Sequence, residues 1–580
     1  MSNDVTTSDG GPDPGPPHRG RRKLWVAAGV AGLTGVVGLA ALGGVAARDD
    51  KPADRPDAQS NSRQSVSDAG PAEAPAGKAD AGADTGGHDG ERSGGQWSGG
   101  EWKGGADEHE GRAKDVPCDS DKLIQAIVHA NDDGGVLNLA KGCTYRLTRS
   151  DDGNGLPVIS ERITLKGHDT KIVREGTGEY FRVFNVGRGG HLTLKGLTVA
   201  GGQTLDSAMV VPAATVWSRF SSSAADTAAA GKPTTPTAAK PATPTVAKPV
   251  AAAAKASPPA GAGKPAAKPA AKPATATGTG TRADVGVLEQ PQPNDGGGIL
   301  VQPGGAADLV ETHVVKNQSG GSGGGIANFG RTRLSDSSVA DNTAFYYGGG
   351  ILNAGVLQVD TSKIRDNEAG IGGGGVANGA PGILREDVEG GSAWFYKSEI
   401  SGNNTVGFGG GLLDVEGTTT ATYSEVTGNQ ALLAGGGIAA ADESQLSLEH
   451  AVVAGNATAG VGGGLAVVDD STATIEHSKI KDNKAGFFGG GLFNEDSTVV
   501  LRNSEVVGNR AVGPFARGGG IYNDDEGVVR LDRTTVAHNA ATRAPGGIFN
   551  DAAGTVELDD ESVVKGNRPT NCTNVPDCFA

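Results

Sequence analysis

The sequence predicts an all-β solenoid, a chain wound into stacked coils of short strands. Three observations predict it. First, glycine supplies 96 of 580 residues while aromatics supply 4%, and the usual glycine share is roughly 7%. Such a chain is not helical, because glycine in a helix interior costs about 1 kcal/mol relative to alanine. It is not a collagen either, since the glycines do not fall at every third position. Second, from residue 295 onward the glycines recur in blocks at 296–298, 323–325, 348–350, 372–375, 409–411, 435–437, 462–464, 489–491, 518–520 and 546–547. Third, an asparagine column keeps the same period: Asn317, Asn342, Asn367, Asn403, Asn429, Asn456, Asn483, Asn509, Asn539 and Asn567. A fixed period of this size marks a repeat architecture.

The elements follow in chain order. Residues 1–23 end in the basic run Arg19-Gly20-Arg21-Arg22-Lys23 and are expected to stay cytoplasmic. Residues 24–47 are uncharged and largely apolar, with Asp49 and Asp50 beyond Arg48. At ~1.5 Å per residue such a run spans a bilayer core of ~30 Å. Basic residues before it and acidic residues after it orient the remainder outside. Two fates stay open, a retained transmembrane anchor or an export signal cleaved after Val45-Ala46-Ala47. Residues 48–113 are Asp/Gly/Ala/Glu/Ser-rich, and with so few aliphatic side chains they read as a disordered spacer.

Residues 114–202 are expected to form the N-terminal cap and first coils. Asp119-Ser120-Asp121, followed by Leu123, Ile124, Ile127 and Val128, reads as an N-capped amphipathic helix covering the first coil. Strands are expected at 136–139, 145–148, 163–166, 182–186, 192–194 and 197–199. Cys118 and Cys143 are expected to pair across the cap, and Cys572 and Cys578 after the last coil. The rival reading, a four-cysteine metal site, lacks CxxC spacing. Residues 203–294 form an insert rich in Ala, Pro, Thr and Lys, expected to be extended and disordered. It reads as a tolerated surface excursion or as a basic tether to an anionic wall polymer.

Residues 295–580 carry the repeats and the C-terminal cap. Three residues before each asparagine of the column stands Val or Ile, as in Val339, Ile364, Ile400 and Val506. Five before it is usually Ser or Thr, and eight before it is often a large apolar residue such as Leu334, Phe395 or Leu501. Apolar and polar residues alternate, which is strand periodicity. A coil of this length fits three short strands and three turns, stacked at ~4.8 Å. Stacked asparagines can then hydrogen-bond along the axis, and the glycines suit turns with positive φ or close backbone approach. One step, from Asn367 to Asn403, is 36 residues and implies an extra loop around 379–391.

The units Gly348-Gly349-Gly350-Ile351-Leu352-Asn353 and Ser504-Glu505-Val506-Val507-Gly508-Asn509 resemble the right-handed parallel β-helix repeats of exported bacterial proteins. That pectate-lyase-like superfamily includes repeats similar to those of polymorphic outer-membrane proteins. The resemblance covers about 118–202 and 295–578. It implies a right-handed parallel β-helix and leaves function open, because the fold serves lyases, hydrolases, adhesins and surface proteins alike.

One constellation suggests chemistry. Five residues beyond the last glycine of successive blocks stand Glu416, Asp442, Asp469, Asp496 and Asp525, with Asp414, Glu443, Asp470, Glu495, Asp524, Glu526 and Asp551 nearby. Neighbouring carboxylates at ~4.8 Å repel by about 0.9 kcal/mol even in water. Such a column can be a solvated turn edge that blocks sheet-to-sheet pairing. It can also hold cations, with Ca²⁺ the natural candidate, or split its pKa values for acid–base work. No other cofactor is expected. The resemblance to family lyases implies a catalytic Arg or Lys beside Ca²⁺-binding carboxylates, yet Arg502 and Arg530 match no such motif. The Asn-Thr-Asp, Asp-Asp and Gly-His-Gly set of polygalacturonase-like hydrolases is absent, and Asp524-Asp525 alone is a dipeptide match. His450 and His477 are expected to stack on adjacent coils. Tyr347, Phe408 and Phe488, each just before a glycine block, can stack on sugars or pack within the turn.

With 51 Lys+Arg against 67 Asp+Glu, a net charge of −16, nucleic acid is not an expected partner. The reading is an exported protein, either membrane-anchored through its N-terminal segment alone or secreted after cleavage. No catalytic residue is assigned. The expected role is a non-enzymatic binding, adhesin-like or structural envelope module contacting polysaccharide or another envelope polymer. The alternative is a polysaccharide lyase or glycoside hydrolase using the acidic stripe.

Overall fold

The computed structural model describes residues 113–176, 179–204, 291–379 and 390–579. The expected export segment at 24–47, nearly all of the spacer, the body of the insert and the tip of the loop after Gly379 lie outside the described residues. Among the described residues no helix is long and apolar enough to cross a membrane.

Among the described residues, three parallel sheets of 25, 12 and 9 strands run along the stack of coils. One coil shows the plan. After the glycine block 489–491 come the strands Leu492–Glu495, Thr498–Arg502, Glu505–Val507 and Arg510–Ala511. The repeat therefore holds four strands rather than the expected three. The extra one arises because the 25-stranded sheet takes two strands from each coil, bent apart at the Asn503–Ser504 corner. We call this the long sheet, and the 12-stranded sheet that follows each glycine block the glycine sheet. Strand pairing is in register, with Leu501 opposite Ile475 and Leu531. A one-residue slip would turn the whole apolar set outward, and the inward residues Val499, Leu501 and Val506 have no exposed surface.

The glycine block is dictated by its surroundings. Gly489 has φ 62°, a left-handed conformation that favours glycine. A Cβ on Gly490 would lie 2.4 Å from the Gly519 carbonyl oxygen, and one on Gly491 2.7 Å from that of Gly520. The block thus packs backbone on backbone and admits no side chain.

The asparagine column forms the expected ladder. From Asn317 to Asn567 each Nδ2 donates to the Oδ1 of the next coil's asparagine at 3.0 Å. Asn571 ends the series, accepting from Asn567 at 3.2 Å. Each Oδ1 also accepts the backbone N–H of the preceding coil's asparagine, as from Asn456 to Asn483 at 2.9 Å. The remaining Nδ2 proton goes to a carbonyl, as from Asn456 to Val426 at 2.9 Å. The serines five residues upstream do similar work: Ser337 N–H donates to Ser362 Oγ at 3.0 Å and Ser478 N–H to Ser504 Oγ at 3.1 Å.

The ends are covered as expected. The helix Ser120–Asp133 is capped by Asp119, whose carboxylate accepts from Asp121 N–H at 2.8 Å and Lys122 N–H at 3.0 Å. It buries Leu123, Ala126, Ile127 and Ala130, while Val128 faces solvent. Cys118–Cys143 and Cys572–Cys578 are both disulfides, with Cα–Cα separations of 5.7 Å and 6.1 Å. In the first coils the strand expected at 163–166 extends to Arg162–Arg174, those expected at 192–194 and 197–199 fuse into His191–Ala200, and the strand expected at 182–186 is confined to Phe184–Val186. The insert interrupts the chain and not the stack. Phe184–Val186 pairs with Ile299–Val301, and His191–Ala200 with Ala306–Val310 and His313–Val315. Thr204 Oγ1 donates to the Asn294 carbonyl, which ties the two ends of the insert together.

Candidate functional site

The acidic column lies where the glycine sheet turns into the long sheet. Glu416, Asp442, Asp469, Asp496 and Asp525 have φ of 53°, 54°, 55°, 47° and 41°. Asp tolerates this left-handed turn better than most residues, so backbone geometry alone favours Asp at four of the five positions. Three of these turns, those at Asp442, Asp469 and Asp525, are one residue longer, and in two of them a second residue turns left-handed. Glu443 and Asp470 also have positive φ, 61° and 58°, and both are exposed. Their backbones bond along the axis: Glu443 N–H to Asp469 O and Asp470 N–H to Asp496 O, both at 2.9 Å. Among the described residues no group of three or more His, Cys, Asp or Glu side chains is placed to hold one metal ion.

Glu443 and Asp470 form the rim of an open groove of about 750 Å³ on the outer face of the long sheet. Its floor is hydroxyl and amide: Thr418 and Thr420, Gln445 and Ser447, Thr472 and Thr474. Outward strand positions one coil apart place these groups in rows. The same three strands run on into a corner occupied by Tyr423, His450 and His477, with φ of 52°, 52° and 50°. Here the expected histidine stack is present and extends to an aromatic. The His450 and His477 rings lie 5.0 Å apart, and Tyr423 stacks on His450 at 4.6 Å. Tyr396 meets Tyr423 edge-on at 6.2 Å. Tyr423 is 52% exposed and Trp394, one coil before Thr420, is 44% exposed.

A second cluster lies on the outer face of the glycine sheet in the last coils. Phe493, Tyr522 and Phe549 occupy one column, and Glu495, Asp524 and Asp551 stand two residues further along. Tyr522 stacks on Phe488 at 4.5 Å and on Phe549 at 4.6 Å, and the Arg517 guanidinium lies 5.3 Å from the Phe549 ring centre. These aromatics cover one another and are nearly buried. Tyr347 and Phe408, both half-buried, pack likewise against small apolar clusters of the glycine sheet. Burial pushes the Glu495 carboxyl up to about 7, helped by the charges of Asp524, Asp469, Asp496 and Asp525. Burial also raises Asp524, reinforced by Asp551, Asp525 and Asp496.

Residues 375–536 match a family model described as the right handed beta helix region. The fold is a right-handed parallel β-helix. No curated protein matches the chain in sequence. Among solved structures, the A-module of the mannuronan C-5 epimerase AlgE6 from Azotobacter vinelandii is similar at 11% identity and a TM-score of 0.27, over 80% of this chain and 98% of that one. A likeness at that score bears on neither activity nor substrate.

On this β-helix the acidic column and the groove are neighbours, whereas Arg502 and Arg530 belong to neither. They pair with Glu476 at 2.6 Å and Glu557 at 2.8 Å on the outer face of the long sheet. Sequence reasoning found the acidic column and the histidines but missed the groove floor. Its signal was present as the alternating Thr-Thr-Thr-Ala-Thr, Gln-Leu-Ser-Leu-Glu and Thr-Ala-Thr-Ile-Glu of three successive strands. A floor of short hydroxyls beside an exposed aromatic edge can hydrogen-bond and stack a polyhydroxylated chain.

Proposed function

We propose that the protein is a non-enzymatic binding module of the cell envelope, and that its groove takes a polysaccharide. The observation that carries this reading is the hydroxyl floor of Thr418 to Thr474 between the Glu443 and Asp470 rim and the Tyr423–His450–His477 edge. The rows repeat at the coil spacing of ~4.8 Å, close to the length of a sugar unit, so successive coils present like groups to a chain lying along the axis. Titration calorimetry of the full chain against neutral and uronic-acid oligosaccharides, with and without Ca²⁺, tests it. Tyr423→Ala should weaken binding about tenfold, the loss of one exposed stacking contact, without lowering the thermal midpoint. Binding that is absent across the panel, or indifferent to Tyr423, would end this reading.

One observation favours a second reading, a polysaccharide lyase or glycoside hydrolase. A carboxyl raised to about 7 at Glu495, on the strand position paired with Asp524, whose carboxyl burial also raises, is the kind of group that acts as an acid near neutral pH. Release of reducing or unsaturated ends that disappears in Glu495→Gln or Asp525→Asn would replace the binding reading with this one.

A further inference from the structure

We infer that the chain taken by the groove is an uncharged polysaccharide, seated at one end against Trp394. This inference rests on the binding reading above and narrows it from polysaccharide in general to one charge class.

Charge comes first. Glu443 and Asp470 are the charged side chains that line the groove, and among the described residues no Lys or Arg lines it. Glu449 and Glu476 stand two residues beyond Ser447 and Thr474 on the same strands, paired in register. A chain lying along the axis therefore runs between two pairs of acids. Arg502, one coil beyond Glu476, is bound to it at 2.6 Å, and Lys397 lies 4.9 Å from the centre of the Tyr396 ring. Each uronate carboxylate brought within about 4 Å of one of these acids would lower the binding constant about fivefold even in water. A neutral ring meets no such opposition, and its hydroxyls can donate to the same carboxylates.

The ends of the floor supply the second observation. Its middle row runs Trp394, Thr420, Ser447, Thr474 and Val500 in unbroken register. The hydroxyls thus stop at an indole on one side and an isopropyl group on the other, four coil steps or roughly 19 Å apart. Trp394 is 44% exposed. A large, rigid apolar surface left open at the end of a polar floor suits the C–H face of a sugar ring, whose hydroxyls the floor then meets. A chain of about four units at the coil spacing fills this length.

Calorimetry of the full chain tests this, with neutral gluco-, manno- and xylo-oligosaccharides of graded length and with oligogalacturonate and oligomannuronate of matched length. It is run at low and high salt, with and without Ca²⁺. At least one neutral series should bind, its affinity rising up to about four units and then levelling. The uronates should bind at least about fivefold more weakly at low salt, and the gap should narrow as salt screens the rim. Trp394→Ala should weaken the neutral series about tenfold without lowering the thermal midpoint, since the indole lies outside the buried core. Glu443→Gln combined with Asp470→Asn should narrow the neutral-to-uronate ratio about fivefold or more. If uronates bind as tightly as neutral chains, with or without Ca²⁺, or if Trp394→Ala binds as the parent does, this inference falls while the groove reading stands. If no oligosaccharide of either class binds, the groove reading has failed and this inference falls with it.

Discussion

Two columns of asparagine run through the same coils and behave differently. The column from Asn317 to Asn571 is unbroken. The other, in the glycine sheet, runs Asn328, Asn353, Asn378 and then Asp414, stops at Ala440 and Val467, and resumes at Asn494, Asn523 and Asn550. The difference lies in the backbone. Each asparagine from Asn317 to Asn567 follows a left-handed residue, such as Asp366 at φ 54° or Gly455 at φ 64°. The turn takes its N–H away from strand pairing, so the next amide must accept it. Residues of the second column sit within paired strands whose backbones satisfy one another. There an amide takes at most a long bond of 3.3 Å from a backbone N–H, as Asn328 does from Gly330 and Asn353 from Gly355, and an apolar residue can replace it, as at Ala440 and Val467.

The sharpest way to break this comparison is Asn456→Ala against Asn523→Ala. The first removes the acceptor of Asn429 N–H at 2.9 Å and of Asn429 Nδ2 at 3.0 Å, together with its own donations to Val426 and Asn483. The Asn429 backbone N–H and one of its two Nδ2 protons lose their acceptor, at roughly 1–3 kcal/mol each, so a loss of about 2–6 kcal/mol is expected. Asn523→Ala orphans side-chain groups alone and should cost about half as much. Guanidinium unfolding of both variants checks this, and equal losses would remove the backbone argument.

A smaller effect is expected at Asp414, where the second column first stops. It is fully buried, accepts from Asn378 Nδ2 at 3.0 Å, and has an Oδ2 with no partner. Burial pushes its carboxyl from 3.8 up to about 7. The folded state therefore holds a proton that the unfolded state has released between these values. The contribution of this carboxyl to stability is highest below about pH 4, falls as pH rises through that window, and is level above it. Asp414→Asn should remove this fall. The variant should exceed the parent at pH 8 by at most on the order of 4 kcal/mol, with the gap closing toward pH 4. Thermal midpoints across pH measure it, and a gap independent of pH would refute the assignment.

These contrasts show what the primary structure exposes. The Asn317–Asn571 column and the glycine blocks were legible because each answers a backbone demand that recurs in every coil. So were Cys118–Cys143 and Cys572–Cys578, which flank the stack. The second asparagine column escaped notice because Ala440 and Val467 interrupt its period. The fourth strand escaped because the two strands that each coil gives to the long sheet, such as Thr498–Arg502 and Glu505–Val507, are parted by a corner of only two residues and read as one alternating run. The groove was hidden for another reason. Thr420, Ser447 and Thr474 read as ordinary solvent-facing strand residues until stacking sets them beside Tyr423 and His450. The acidic column was visible, but its left-handed turns explain its aspartates without any ligand.

The smallest expected effect sharpens the comparison at the gap itself. Val467 is fully buried and pairs with Asn494, whose Oδ1 is buried without a partner. In the intact stretches each Nδ2 donates to the next coil's Oδ1, so an amide at 467 would reach that orphan. Val467→Asn forfeits the burial of a valine, about 1.5 kcal/mol or somewhat more, and leaves its own Oδ1 facing Ala440. Against this it satisfies Asn494, for about 1 kcal/mol in return. With the new unpaired Oδ1 costing about 1 kcal/mol in its turn, the net loss should be about 1.5 kcal/mol, smaller than for Val467→Ala, which leaves a cavity and repairs nothing. Denaturant midpoints of the two variants decide it. If Val467→Asn proves the more damaging, the second column is not a ladder with two rungs replaced, but two short stacks that tolerate no amide between them.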